Sequence, residues 1–147
     1  MFRAVLILWA SPGSLIGLAV GVAAVACRSG AIRRNGSTLE CHGPLVRWVL
    51  TRKRFQARAM TLGHVILGCD AAALEVTREH ELVHVRQYER WGPLFIPAYL
   101  LSSAWLWTRG FDPYLDNPFE VEAYNHDAAG KAWPRINREG EAPDKPL

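Results

Sequence analysis

With 147 residues, half of them hydrophobic and only 21% charged, the chain has room for one small domain, not two, and leans towards a membrane-linked protein. The formal charge of +3 conceals an asymmetry: residues 1–58 carry nine bases against the single acid Glu40, and residues 70–147 carry eight bases against thirteen acids. The bases do not gather on one helix among stacking aromatics, and Cys27, Cys41 and Cys69 show no CxxC spacing, which argues against nucleic-acid binding, a disulfide scaffold and a cysteine zinc ribbon.

Residues 4–27 carry no charge. As one helix the run would rise roughly 36 Å, enough for a hydrocarbon core of about 30 Å, so a single transmembrane anchor is expected. Ser11-Pro12-Gly13 should kink it or delay its start to Ser14. Only Arg3 precedes the run, while Arg28, Arg33, Arg34 and Arg47 follow it, which places the body on the cytoplasmic side of a bacterial inner membrane. The alternative is export with a lipid anchor at Cys27, after the small residues Ala24-Val25-Ala26; arginines directly behind such a site argue against it. The basic stretch, Arg52-Lys53-Arg54 included, suits a solvated or lipid-facing surface, with membrane lipid as a partner.

Asn35-Gly36-Ser37 is a turn. Residues 38–41 and 45–50 fit two strands or a strand and a short helix. Residues 60–68 alternate and contain β-branched side chains, and read as one strand closed by Gly68. A helix should run from Asp70 or Ala71 to Trp91, stopped by Gly92-Pro93. At 100° per residue Ala73, Thr77, His80, His84, Gln87 and Trp91 share one face; Glu75, Arg78, Glu79, Arg86 and Glu89 fall on the other, with Leu82 the apolar exception. A second uncharged run, 92–107, is short for a crossing, and its Tyr and Trp residues suit either an interfacial arm or a core helix. Residues 112–116 form a loop, and Asn117-Pro118 opens a last helix. From about Pro134 the chain is polar and Pro-rich, as in disordered tails. The fold class is α+β.

The chemistry lies in His80-Glu81-Leu82-Val83-His84, an HExxH on the predicted helix. Residues four apart stand one turn above each other, so both imidazoles reach a single zinc ion. Glu81 points into the same space and can take a proton from an activated water. A catalytic zinc needs a third protein ligand from another element. Glu120 is the first choice, although Asn117-x-x-Glu120 also has the form of a capping box. Glu122 is second, His126 and Asp127 weaker. His42 and His64 read as ordinary polar residues before they read as ligands.

HExxH followed by Glu120-Val121-Glu122-Ala123-Tyr124 resembles the gluzincin metallopeptidases, above all the HtpX-like membrane peptidases with their HExxH and ExxAD motifs. It is also similar to a group of small bacterial membrane proteins carrying HELVHVRQYERWGPLF and DNPFExEAY strings. The resemblance covers about residues 60–130. It implies zinc held by His80, His84 and Glu120, Glu81 as general base, and residues 61–67 as the edge strand that pairs with a peptide substrate. Tyr124 stands where the larger peptidases have aspartate, and the extra transmembrane helices of the HtpX-like enzymes are missing. Tyr124 and His64, with Tyr114 beside them, are candidates for the outer shell or for stabilising the transition state.

The expected organisation is a membrane anchor over 1–30, a basic juxtamembrane segment with short strands over 31–59, a minimal zincin-like domain over 60–130 and a disordered tail over 131–147. That domain would hold a short sheet, the HExxH helix, a hydrophobic helix and a glutamate-bearing helix. The expected function is a membrane-anchored zinc-dependent peptidase acting on a membrane-near peptide or protein. The alternative is a non-catalytic membrane protein with a structural metal or polar cluster.

Overall fold

The structure, a computed structural model, describes residues 2–26, 30–52 and 57–128; Cys27, Lys53, Arg54 and the tail over 131–147 lie outside them. The elements in chain order are α1 (Phe2–Trp9), α2 (Ser11–Ala26), β1 (Ala31–Asn35), β2 (Thr38–His42), α3 (Pro44–Leu50), β3 (Ala59–Leu62), β4 (Val65–Gly68), α4 (Ala71–Trp91), α5 (Phe95–Thr108) and α6 (Pro118–Ala128). A single 3-10 turn, Gly92–Leu94, joins α4 to α5. The α+β class and a short sheet are as expected; the sheet has four strands.

The sheet runs β1-β2-β4-β3, with β2 and β4 parallel and both outer pairs antiparallel. Its central strand β4 is buried along its whole length because both faces are covered. On one face Cys41, Val65 and Leu67 pack with Val46 and Leu50 of α3 and Ala24 of α2. On the other, Ile66 packs with Leu74 and Val85 of α4. Glu40, Ile66 and Thr61 are register partners across three strands, so their side chains form one row on the α4 face. Each grips the helix at a different height: Glu40 takes a two-pronged contact from Arg78, Ile66 meets Leu74 and Val85, and the Thr61 hydroxyl reaches Glu81. This row sets where the HExxH turn stands on the sheet.

Two expectations need correction. The segment 60–68 is a hairpin, not one strand: β3 and β4 flank a two-residue turn at Gly63-His64, with Gly63 at φ 63. A side chain at Gly63 would also collide with Ser14 of α2, so the turn and the helix packing both require glycine there. The ladder keeps its alternation through the bond from the Cys69 N–H to the Arg58 carbonyl at 3.0 Å, which turns Arg58, Met60 and Leu62 towards β4. The backbone polar groups of Ala59 and Thr61 therefore face the outer edge, where no strand pairs among the described residues.

The N-terminal transmembrane helix is the second correction. The uncharged run divides at Ala10, ahead of Ser11-Pro12, into helices of 8 and 16 residues. No helix among the described residues is long and apolar enough to cross a membrane. Gly13, Gly17 and Gly21 of α2 instead lie against Tyr88, Val65 and Cys41, where a Cβ would approach within 2.7–2.8 Å. Strands from 31–59 and from 60–68 join in the one sheet that this helix covers. Of the two readings of 92–107, the core helix does not fit α5: only Phe95 and Leu106 are buried, and Leu101 and Trp107 are 70% and 72% exposed.

Candidate metal centre

Helix α4 starts where Asp70 accepts the N–H of Ala73 at 2.8 Å and stops at Gly92, φ 55, against the indole of Trp9. Between these stops it buries more than the single expected face. The sheet covers one side of it and α6 with the start of α5 covers another, so Glu81, Val83, Val85 and Tyr88 are buried alongside His80, His84 and Gln87. Trp91, expected on the buried face, is 40% exposed at the helix end.

His80 and His84 face α6, whose entry is fixed by Asn117. Its Oδ1 accepts the N–H of Phe119 at 3.1 Å, and its Nδ2 donates to the Tyr99 carbonyl and to the Ser103 hydroxyl of α5 at 3.2 and 2.8 Å. The Asn117 N–H goes to the Tyr114 carbonyl, so Glu120 does not close a capping box. The Glu120 carboxylate is turned to the histidines instead. Oε2 is 3.2 Å from His80 Nε2, Oε1 is 3.6 Å from His84 Nε2, and the two imidazole Nε2 atoms are 3.2 Å apart. Tyr99 donates its hydroxyl to Oε1 at 2.8 Å.

The residues fit a zinc ion. Ligand atoms at the corners of a zinc tetrahedron with bonds of about 2.0–2.1 Å stand roughly 3.3 Å apart; the two Nε2 atoms are 3.2 Å apart, and Glu120 Oε2 is 3.2 Å from that of His80. Glu120 Oε2 is buried and accepts no hydrogen bond although His80 Nε2 is within reach, as expected of atoms aimed at a shared point. Two nitrogens and one carboxylate oxygen are a borderline-soft donor set that leaves a fourth position.

A second layer fixes the His84 tautomer. The Gln87 amide donates to the Phe119 carbonyl at 3.0 Å and to Glu122 at 2.9 Å, so its oxygen must face His84, where it accepts from Nδ1 at 2.8 Å. The proton on Nδ1 leaves the Nε2 lone pair for the cluster. Glu122, the second choice as third ligand, thus belongs to a chain from Arg90 through Gln87 to His84 and does not touch the cluster itself. His126 meets Arg86 on the surface, and the Asp127 side chain is outside those described. His64 stands at the hairpin turn with Nε2 3.1 Å from Glu89 and its N–H on Ser14 Oγ, apart from the His–Glu group. The Tyr124 ring packs on His80 with centroids 4.7 Å apart, and its hydroxyl donates to that of Tyr114.

Glu81 is buried and takes the Thr61 hydroxyl on Oε2 at 2.7 Å. Sequence reasoning missed Thr61, Tyr99 and the orienting part of Gln87; only Gln87, three residues after His84, left a local signal. Burial pushes the Glu81 carboxyl above its ordinary range, against the pull of both histidines. Burial also opposes the Glu120 charge, but His80, His84 and the Tyr99 hydroxyl outweigh it and hold its pKa at about 2. For His84 the penalty of burial is outweighed by Glu120, Glu81 and Gln87, and its pKa stands above that of ordinary histidine.

These directions give the metal-free centre a pH signature. The His84 contribution to stability is full below the unfolded histidine pKa and is lost as pH rises through the raised folded value. Glu81, also raised, acts in the same sense above the ordinary carboxylate range, whereas the Glu120 contribution is lost only as pH falls towards about 2. Metal-stripped protein should therefore melt at higher temperature near about pH 6 than near about pH 8.5, with the slope flattened in Glu120→Gln. Zinc affinity should run the other way, rising with pH as the competing proton leaves. Calorimetric melts across this range check both signs.

No family model matches the chain, and no curated protein or solved structure is significantly similar to it.

Proposed function

We propose that the protein is a zinc-dependent peptidase that works at a membrane. The observation that carries the reading is the division of labour between two carboxylates. Glu120 joins His80 and His84 in the cluster, while Glu81, the neighbour of His80, is kept out of it by Thr61. A structural metal site needs the first carboxylate and has no use for the second.

In this reading His80, His84 and Glu120 hold the ion, which when bound would activate a water and polarise a peptide carbonyl. Glu81 takes the proton of the attacking water and passes it to the departing amine. Thr61 fixes the carboxylate for that transfer through Oε2 and leaves Oε1 for the proton. Thr61 also stands on the free edge of β3, so a substrate strand pairing with the backbone of Ala59 and Thr61 would be registered by the residue that positions the base. Tyr114 accepts the Tyr124 hydroxyl at 3.3 Å and has its own proton to donate.

Purified protein is expected to contain about one zinc per chain and to cleave members of an unstructured peptide panel, with both properties lost in His80→Ala and His84→Ala. Stoichiometric zinc with no cleavage of any peptide or membrane-protein substrate would support a structural metal in place of a catalytic one. Absence of metal after growth in zinc would overturn the reading.

A further inference from the structure

Helix α2 is built inside out. Its buried positions are Gly13, Gly17, Gly21 and Ala24, and its large side chains face away from the protein, with Leu15 64% and Val22 52% exposed. A helix that served only to cover a sheet would present these the other way round, because burying large apolar side chains is what stabilises such packing. Helix α5 repeats the pattern, with Leu100, Leu101, Trp105 and Trp107 all more than half exposed and no charged residue between Gly92 and Thr108. The N-terminal helices adjoin the entrance to α5 where Trp9, at the end of α1, lies against Gly92. Helices α2 and α5 each expose more large apolar side chains than the isolated ones that ordinary surfaces tolerate.

We infer that this surface docks on the acyl region of one anionic bilayer leaflet, with α2 and α5 embedded in its plane and neither of them crossing it. The charge pattern favours lipid over a protein partner. The only carboxylate before Asp70 is Glu40, and it is buried on Arg78, so among the described residues the exposed charges of the first half are arginines. Two of the exposed tryptophans carry arginines over their rings: Arg52 lies 3.8 Å from the Trp48 centroid and Arg109 lies 5.2 Å from that of Trp105. An indole topped by a guanidinium suits the boundary between acyl chains and phosphates. Length sets the mode. At 16 and 14 residues α2 and α5 rise roughly 24 and 21 Å, short of a core of about 30 Å but ample for lying within a leaflet.

The experiment uses the full chain and vesicles, and reads neither metal nor peptide cleavage, so its failure is separable from that of the peptidase reading. Flotation should recover the protein with vesicles of phosphatidylcholine and phosphatidylglycerol, and at least about tenfold less with phosphatidylcholine alone. Leu101→Asp combined with Trp107→Ser should reduce binding at least about tenfold, with circular dichroism unchanged. Bromine placed high on the acyl chains should quench tryptophan fluorescence more than bromine near the bilayer centre. No vesicle binding by the wild type, or equal binding by the double variant, overturns the proposal. Stronger quenching from the centre replaces the in-plane mode with a crossing one. Concentration-dependent dimers in lipid-free buffer that the same double variant abolishes would assign the surface to a second copy of the chain instead.

Discussion

Glu81→Gln is expected to leave zinc content and melting temperature near wild type and to cut peptide hydrolysis by at least about a hundredfold, close to 2.7 kcal/mol of transition-state stabilisation. The substitution keeps the length and helix propensity of the side chain, and the amide oxygen can still accept the Thr61 hydroxyl. The charge it removes is one that burial already disfavours, so the fold has no reason to suffer. What disappears is the group that receives a proton during attack. Metal analysis, calorimetry and a peptide panel, run on both proteins side by side, check the three parts of the expectation. Equal hydrolysis by both would refute the role of Glu81, and loss of zinc would make it a ligand.

The second large effect distinguishes two glutamates two residues apart. Glu120→Gln should weaken zinc binding by at least about a hundredfold, because its carboxylate stands directly against both imidazoles. Glu122→Gln should cost no more than about tenfold, since Glu122 acts on His84 only through the Gln87 amide. Competition titrations against a chromophoric chelator measure both. If Glu122→Gln strips the metal and Glu120→Gln does not, the ligand set is misassigned by half a turn of α6.

The site was more legible in the sequence than the frame that carries it. The limits of α4 could be read because Asp70 caps it and Gly92-Pro93 ends it, and the HExxH spacing needs only a helix to have its geometry. Asn117-Pro118 marked α6 for the same local reason. The hairpin at Gly63-His64 stayed hidden because an apolar pattern continues on both sides of a turn without the usual Asn-Gly or Asp-Gly pair. β1 left no signal at all, since each of its residues is exposed and alternation requires one covered face. The uncharged N-terminal run read as a membrane span because hydropathy counts apolar residues and is blind to their arrangement. The glycines at every fourth position, which fit α2 onto Tyr88, Val65 and Cys41, were in the sequence, but only the fold gives that spacing a partner. Thr61 and Tyr99 act across elements and could not be found from local pattern.

The inner side of α5 is tied to α6 by its own hydrogen bonds: Tyr99 gives its hydroxyl to Glu120, and the Tyr99 carbonyl and Ser103 hydroxyl receive the Asn117 amide. In the proposed reading the position of this helix and the occupancy of the ion site would therefore be linked quantities, and linkage between equilibria is reciprocal. Whatever factor a seated α5 contributes to the affinity for the ion, a bound ion returns to the seating of α5. The outward face of the helix would thereby become a place from which that affinity is set.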